Sequence, residues 1–164
     1  MYLQYKEVSL CLAIAVICCN VVTIKALCTA NQVAIKSTYG DLYLDATNGT
    51  SIQIQHWLGS YSQVWRIDCG HMPGLFRLYN QKFGAFLAVT PFTISLILNE
   101  VTEEYWQEWF LNGNGRITNA GALYQLDITA SVFEPGTVVG LYQDTGNPNQ
   151  EWEILEVARD KSLE

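Results

Sequence analysis

The chain has few charged residues, and basic residues are the scarcer kind. Charged side chains make up 15% of the 164 residues, with 9 Lys and Arg against 16 Asp and Glu, so the net charge is −7. No cluster or stripe of Lys and Arg is present. Nucleic acids and anionic membrane surfaces attract proteins through such basic patches. The composition therefore argues against both as direct partners.

Cysteine is almost absent beyond the first thirty residues, which hold four of the five cysteines. The same segment contains a nearly unbroken apolar run over residues 8–22, preceded by Lys6. This pattern predicts a signal peptide at residues 1–30, cleaved after Ala30, and hence a secreted protein. The alternatives are a cytoplasmic protein with an unnatural extension and a membrane anchor, although the run is short for a span of about 20 residues. After cleavage Cys69 would have no internal disulfide partner, so we expect an apolar filler.

Catalytic and metal-binding patterns are also missing. Cys69-Gly70-His71 brings a thiol near an imidazole, but nucleophilic catalysis needs a third, orienting group that the sequence does not show. No Cys or His spacing suits a metal ion, and no phosphate-binding or nucleotide motif is present. The sequence thus predicts no enzyme, no metal and no cofactor. An acidic cluster beside Trp106 is expected to be a solvated loop; its members are Glu103, Glu104 and Glu108.

What the chain does contain is a Gln-x-Trp motif that occurs three times. Its tryptophans, Trp65, Trp109 and Trp152, lie 44 and then 43 residues apart. Two sets of apolar residues repeat in step with the motif, and they are Leu44, Leu87 and Leu126, and Ile35, Leu78 and Ile117. Three features that recur three times in the same order indicate one structural unit copied three times.

Each unit has the pattern of short strands separated by turns. Residues 52–55 alternate apolar and polar side chains, and Asn48-Gly49 is a strong turn pair. No convincing amphipathic helix follows residue 31. Four strands in each of three units predict an all-β fold, a β-trefoil with pseudo-threefold symmetry. Its domain is expected at 31–157, with repeats at about 33–70, 75–115 and 116–157 and a polar tail at 158–164.

The Gln-x-Trp motif is first expected to be a folding device. The three tryptophans would share the core, where each can bury about 150–250 Å², and truncating one to Ala should cost about 3–5 kcal/mol. The glutamines Gln63, Gln107 and Gln150 are expected to satisfy backbone groups in the adjoining turns. The motif alone therefore does not indicate a ligand.

With these motifs the chain resembles the ricin B-chain type of β-trefoil lectin, and its compact fungal members in particular, over residues 33–157. A sugar site of that family combines an Asp early in the repeat, an aromatic side chain further on, and an Asn just before the glutamine of the motif. The third repeat matches best, because Tyr142 lies 15 residues after Asp127. The resemblance implies a site formed by Asp127, Gly140, Tyr142, Asn149 and Gln150.

The chemistry of this set suits a sugar, which has an apolar face of C–H bonds and a rim of hydroxyls. Tyr142 can stack on the face, ionised Asp127 can accept charge-assisted hydrogen bonds, and Asn149 can donate and accept. Gln150 is expected to steady the loop. Taken singly, Asp127 can equally cap a turn, Tyr142 can pack on a neighbouring strand, and Asn149, after Pro148, can belong to a turn.

The first repeat matches the family pattern in part. Asp45 is in place, Gln55 occupies the aromatic position, His56 and Trp57 follow it as substitutes, and Ser62 replaces the Asn. The second repeat is expected to lack a site, because its corresponding residues are Ala88, Ile97 and Trp106.

The resemblance implies a non-enzymatic lectin for galactose- or N-acetylgalactosamine-type glycans, with contact to membranes only through glycoconjugates. One trefoil site binds weakly, so two sites or a homodimer would raise the avidity. The sequon Asn48-Gly49-Thr50 predicts glycosylation of a secreted chain at Asn48, close to Asp45. Two alternatives stay open: a β-trefoil protease inhibitor that acts through exposed loops, and a carbohydrate-targeting module related to those of enzymes.

Overall fold

The computed structural model describes residues 32–102 and 104–157. The predicted signal peptide and the tail at 158–164 lie outside the described residues.

Twelve strands and three short 3₁₀ turns make up the regular structure of the described part, in which no helix is long and apolar enough to cross a membrane. The strands are β1 Val33–Ser37, β2 Tyr43–Asp45, β3 Gln53–Gln55, β4 Trp65–Cys69, β5 Phe76–Asn80, β6 Ala85–Val89, β7 Leu96–Asn99, β8 Trp109–Leu111, β9 Ile117–Asn119, β10 Gln125–Ile128, β11 Val139–Tyr142 and β12 Trp152–Glu156. The 3₁₀ turns are Tyr105–Gln107, Thr129–Ser131 and Pro148–Gln150.

Six of the strands form a closed barrel, from which three hairpins extend. The barrel strands β1, β4, β5, β8 and β9 pair in that order, and β12 pairs antiparallel with β1. Trp152 N donates to Gly115 O at 2.9 Å and joins the start of β12 to the segment before β9. The hairpins are β2–β3, β6–β7 and β10–β11. The predicted all-β architecture, a β-trefoil, is confirmed.

The tryptophan of each Gln-x-Trp motif lies in the core, as predicted. Its indole N–H donates to the backbone carbonyl of the repeating leucine of the same repeat, at 3.1 Å in all three cases. A buried indole N–H needs an acceptor, so this bond fixes the tryptophan against the second strand of its repeat. The residues at 35, 78 and 117 are buried in the same core. The bonded pairs are Trp65 with Leu44, Trp109 with Leu87, and Trp152 with Leu126.

The glutamine of each motif bonds to the loop that precedes it, also as predicted. Its Nε2 donates to the carbonyl 7 residues earlier, and its Oε1 accepts from the backbone N–H 5 residues earlier. Each glutamine therefore closes the loop between the third and fourth strands of its repeat. The partners are His56 and Leu58 for Gln63, Glu100 and Thr102 for Gln107, and Gln143 and Thr145 for Gln150.

Cys69, at the exposed end of β4, is disulfide-bonded. The prediction of an apolar filler in a fold without disulfides is therefore wrong. That prediction assumed removal of the first thirty residues, where the other four cysteines lie, and those residues are outside the described part. With its sulfur in a disulfide, Cys69 has no thiol to act as a nucleophile beside His71.

Candidate functional site

Asp127 stands at the centre of the site predicted in the third repeat. It lies on β10 opposite Gly140 of β11, and only 9% of its surface is exposed. Its Oδ2 accepts two hydrogen bonds, from Asn149 Nδ2 at 2.9 Å and from Gln150 Nε2 at 2.8 Å. No hydrogen bond from residues 32–102 or 104–157 reaches its other oxygen, Oδ1. The predicted acid and both predicted amides are thus in direct contact.

The 3₁₀ turn Pro148–Gln150 positions the two amides. Proline suits the first position of such a turn because its φ is fixed, and the two residues after it are buried. Asn149 Nδ2 also donates to Ile128 O at 3.0 Å, and Gln150 Nε2 also donates to Gln143 O at 2.8 Å. Since each amide nitrogen carries two hydrogens, all four are used within the protein.

Asp127 and Tyr142 line one cavity of about 270 Å³. Tyr142, at the end of β11, is 54% exposed, so much of its ring is open to solvent. Gly140 and Gln150 are outside this lining, but both contact Asp127: Gly140 pairs with it across the hairpin, and Gln150 donates to its Oδ2. The other lining residues are Ala130, Ser131, Thr145, Asn147 and Asn149.

Part of the cavity wall is a strained turn that the sequence did not reveal. Ala130 and Ser131 both have a φ of 56°, in the left-handed region that favours glycine. This conformation costs about 1–2 kcal/mol per residue, so contacts on the C-terminal side of the turn must hold it. Phe133 packs on Tyr39 with ring centroids 4.3 Å apart, and backbone bonds tie residues 136–139 to the segment around β3. Neither Ala nor Ser signals a left-handed backbone, so no pattern could have predicted this wall.

The charge of Asp127 is only partly compensated. Burial raises the pKa of Asp127 above its usual value of 3.8, and the hydrogen bonds from Gln150 and Asn149 oppose that rise. Burial penalises the ionised carboxylate, whereas donors on its oxygen favour it. A donor brought to Oδ1 from outside would compensate the charge further.

The first repeat places its acid as predicted but does not assemble the same contacts. Asp45 is buried, and its Oδ1 accepts from Thr47 Oγ1 at 2.9 Å. Gln63 Nε2 donates to His56 O rather than to the carboxylate. Ser62 Oγ pairs with the hydroxyl of Ser60, 3.0 Å away. The acid of this repeat therefore lacks the paired amides that hold Asp127.

The aromatic position of the first repeat is occupied by Gln55, as predicted from spacing. Gln55 lies opposite Tyr43, just as Tyr142 lies opposite Gln125 in the third repeat. Trp57 is half-exposed and packs against Tyr43 with ring centroids 5.1 Å apart. His56 Nδ1 lies 3.4 Å from a backbone carbonyl, and Asn48 of the sequon is exposed.

The second repeat has neither the acid nor the ring. Ala88 pairs with Ile97, so Ile97 corresponds to Gly140, and Asn99 takes the aromatic position. The spacing had placed Ile97 near that position, and the strand register shifts the assignment by two residues. Trp106 packs close to Gly121, where an added Cβ would meet its ring at 2.9 Å.

Glu108 is not part of a solvated loop, so that prediction is wrong for this residue. Its side chain is fully buried, and Oε1 accepts from His71 N at 2.7 Å and lies 2.6 Å from His71 Nδ1. Glu108 lies between the motif's glutamine and tryptophan, at the end of the 3₁₀ turn Tyr105–Gln107 and directly before β8. Charge alone could not show this, because acidic residues are ordinarily exposed.

The chain shares its fold with solved structures, although no family model and no curated protein matches its sequence. The designed threefold-symmetric protein ThreeFoil has a TM-score of 0.70 at 20% identity, over 77% of this chain and 99% of that one. A ricin B-like lectin of Macrolepiota procera, solved with lactose, has a TM-score of 0.66 at 19% identity, over 78% and 96%. An exo-beta-1,3-galactanase of Clostridium thermocellum has a TM-score of 0.69 at 23% identity, but there the match covers 77% of this chain and 30% of the enzyme. These similarities show the β-trefoil fold.

Proposed function

We propose that this chain is a non-enzymatic carbohydrate-binding protein whose third repeat binds a galactose- or N-acetylgalactosamine-type sugar. The observation that supports it most is the shared cavity of Asp127 and Tyr142, in which no donor from the described residues reaches Asp127 Oδ1. A half-exposed ring suits the apolar face of a sugar, and a buried carboxylate suits its hydroxyls. The fold similarity to a lectin solved with lactose adds support.

The proposal includes one working site and a secreted protein. The third repeat alone combines the acid, the ring and the paired amides. At about 0.3 kcal/mol per non-hydrogen atom, the efficiency of drug-sized ligands, a monosaccharide of about a dozen such atoms would bind with a Kd of about 1 mM or weaker. Glycans on a surface, met by a homodimer or by several copies, would then be held by avidity.

The test is binding of lactose and of N-acetylgalactosamine, followed by calorimetry or by NMR shifts, beside a glycan array. Tyr142→Ala removes the exposed ring and Asp127→Asn removes the free carboxylate oxygen, and each should weaken binding at least about tenfold while circular dichroism stays unchanged. Asp45→Asn in the first repeat is the matched control and should bind like the wild type. A folded wild type that binds no glycan, or that inhibits a protease instead, would overturn the proposal.

A further inference from the structure

We propose that Arg116 is a positioning residue of the sugar site, because it holds both ends of the loop 144–151, which forms one wall of the cavity. This inference rests on the proposed function and adds to the site a residue that does not line the cavity itself. The ligand is the same sugar, and Arg116 sets the shape of the wall against which the sugar is bound.

Arg116 is a buried cation with two acidic partners. Only 4% of its side chain is exposed, against 52% for Asp144 and 34% for Glu151. Its Nε lies 3.0 Å from Asp144 Oδ1, and its Nη2 lies 3.5 Å from Glu151 Oε1. Nε forms no hydrogen bond with the described residues, so its contact with Asp144 depends on charge rather than on hydrogen-bond direction. Because a buried charge without a counter-charge is costly, the position of Arg116 favours the conformation that keeps both carboxylates close.

The barrel brings Glu151 to Arg116, but it does not bring Asp144. Trp152 N donates to Gly115 O, so the residue before Trp152 lies beside the residue after Gly115. Asp144 lies outside the strands, between the end of β11 and the 3₁₀ turn Pro148–Gln150. The bonds of Gln150 close this loop on itself, and the ion pair with Arg116 ties the closed loop to the barrel.

Asp144 connects the position of Arg116 to the cavity wall. Its Oδ1, the oxygen next to Arg116, also accepts from Gly146 N at 3.0 Å. Gly146 has a φ of 74° and lies between Thr145 and Asn147, which both line the cavity. Asn147 N in turn donates to Thr145 Oγ1 at 3.3 Å. The guanidinium therefore fixes one carboxylate oxygen, and that oxygen fixes the turn that carries two lining side chains.

The repeats without the complete site lack this set of charges. The residues that correspond to Arg116, Asp144 and Glu151 are Ala34, Trp57 and Val64 in the first repeat, and Arg77, Val101 and Glu108 in the second. In the second repeat the guanidinium of Arg77 lies over the ring of Phe86, 5.3 Å from its centroid, and Glu108 accepts from His71. The first repeat forms the same strands with Ala34 at this position, so the trefoil itself does not require an arginine there.

The test is a double-mutant cycle in lactose binding, followed by NMR titration under conditions where circular dichroism shows that each variant is folded. Arg116→Met removes the charge and keeps an unbranched stem, and Asp144→Asn removes the charge and keeps an oxygen for Gly146 N. Neither residue lines the cavity, so a lost contact with the sugar cannot explain a change. We expect each variant to bind about three- to tenfold more weakly, and the double variant to bind within about twofold of the weaker single one, because both remove the same ion pair.

Arg77→Met is the matched control, because it makes the same change at the corresponding position of a repeat without the site. It should bind lactose within about twofold of the wild type. The backbone amide signal of Gly146 gives a readout that a general loss of stability does not move, and it should shift in Arg116→Met but not in Arg77→Met. Arg116→Lys keeps the charge on a single nitrogen, so it should recover part of the affinity that Arg116→Met loses.

The outcomes separate this inference from the proposed function. If the wild type binds neither lactose, N-acetylgalactosamine nor any glycan of the array, the proposed function fails and this inference fails with it. If the wild type binds lactose, and folded Arg116→Met and Asp144→Asn bind within about twofold of it, only the inference fails. Effects of the two substitutions that add fully in the double variant would also overturn it, since they would not act through one ion pair. If Arg116→Met does not fold, Asp144→Asn at its exposed position and Arg116→Lys decide in its place.

Discussion

At the scale of single residues, Asp127 is a buried and incompletely paired acid, as Asp45 and Glu108 are, but of these three only Asp127 lines the cavity of the third repeat. Only its ionised form leaves Oδ1 as a charged acceptor. Since the pKa of Asp127 is raised, protonation begins at a higher pH than for an ordinary carboxyl. We expect sugar affinity to fall as the pH is lowered through that raised pKa, by up to about tenfold per pH unit below it.

Calorimetry with lactose across a pH series measures this dependence. Asp45→Asn should reproduce the wild-type profile, because Asp45 is outside the cavity lining of the third repeat. An affinity that stays constant down to about pH 4, near the usual carboxyl value, would contradict the assignment of Asp127 as the acceptor.

The raised pKa of Asp127 makes the stability of the fold change with pH in the direction opposite to the sugar affinity. The folded protein holds the proton of Asp127 more tightly than the unfolded chain, whose value is near 3.8. The contribution of Asp127 to the free energy of unfolding is therefore fully present below 3.8 and is lost as the pH rises through the folded pKa. Asp127→Asn does not titrate, so its stability relative to the wild type should improve over that window, by about 1.4 kcal/mol for each unit by which the pKa is raised.

Urea unfolding of both proteins at several pH values checks this sign. Asp45→Asn serves as the matched control for removal of a buried carboxylate. A difference between wild type and Asp127→Asn that does not change with pH would show that folding does not raise the pKa of Asp127, and a change in the opposite direction would show that the folded protein favours its ionised form.

At the scale of elements, a substitution in the left-handed turn beside the cavity should change sugar binding more than it changes the stability of the fold. Glycine adopts the φ of Ala130 without strain, but it also gives the unfolded chain more freedom, so Ala130→Gly should change the free energy of unfolding by less than about 1 kcal/mol. It should nevertheless weaken sugar binding, because the wall must then be ordered on binding. Leu123, which is also left-handed at φ 59° but exposed and outside the cavity lining, is the matched control.

Leu123→Gly should therefore leave the affinity unchanged. Ala130→Val, with a β-branched side chain at a positive φ, should destabilise the fold by about 1–3 kcal/mol. The measurements are urea unfolding and lactose titration of the three variants. Equal affinities for Ala130→Gly and the wild type would show that the backbone strain has no part in binding.

The glutamines show which features of the elements the sequence could predict. Their loop contacts follow from a motif that repeats with the same two offsets, so one pattern predicts three structures. The second Nε2 bond of Gln150, to Asp127, depends on a residue far along the chain and on the register of β10 with β11. The wall at Ala130 and the burial of Glu108 depend likewise on tertiary contacts, and local composition gives no sign of them.

Because Gln150 has this bond to Asp127 in addition to its loop contacts, the same substitution should have different effects at Gln107 and Gln150. Gln107→Ala and Gln150→Ala each remove bonds that close a loop, and each should cost about 1–3 kcal/mol of stability. Only Gln150→Ala should also lower the sugar affinity, because only Gln150 bonds to an acid that lines the cavity. Unfolding and lactose titration of both variants measure the two effects, and a similar loss of affinity in Gln107→Ala would contradict the assignment of binding to the third repeat.

At the scale of the whole molecule, the fold is threefold but the candidate site is single. The three tryptophans make the same contact in the same core, and β12 closes the barrel on β1, so no repeat has a core of its own. We therefore expect one cooperative unfolding transition, and a similar destabilisation from Trp65→Phe, Trp109→Phe and Trp152→Phe, of about 1–3 kcal/mol each. Each variant loses the same indole bond and leaves a small void.

The three Trp→Phe variants should not affect sugar binding equally. Trp152 bonds to Leu126, the neighbour of Asp127, whereas Trp65 and Trp109 bond to the second strands of repeats without the complete site. Under conditions where all three variants are folded, Trp65→Phe and Trp109→Phe should keep the wild-type affinity for lactose, and Trp152→Phe should lower it by displacing β10. Equal loss in all three would mean that the barrel transmits strain from any repeat to the ligand, and the third repeat would then not act as a separate binding unit on a shared core.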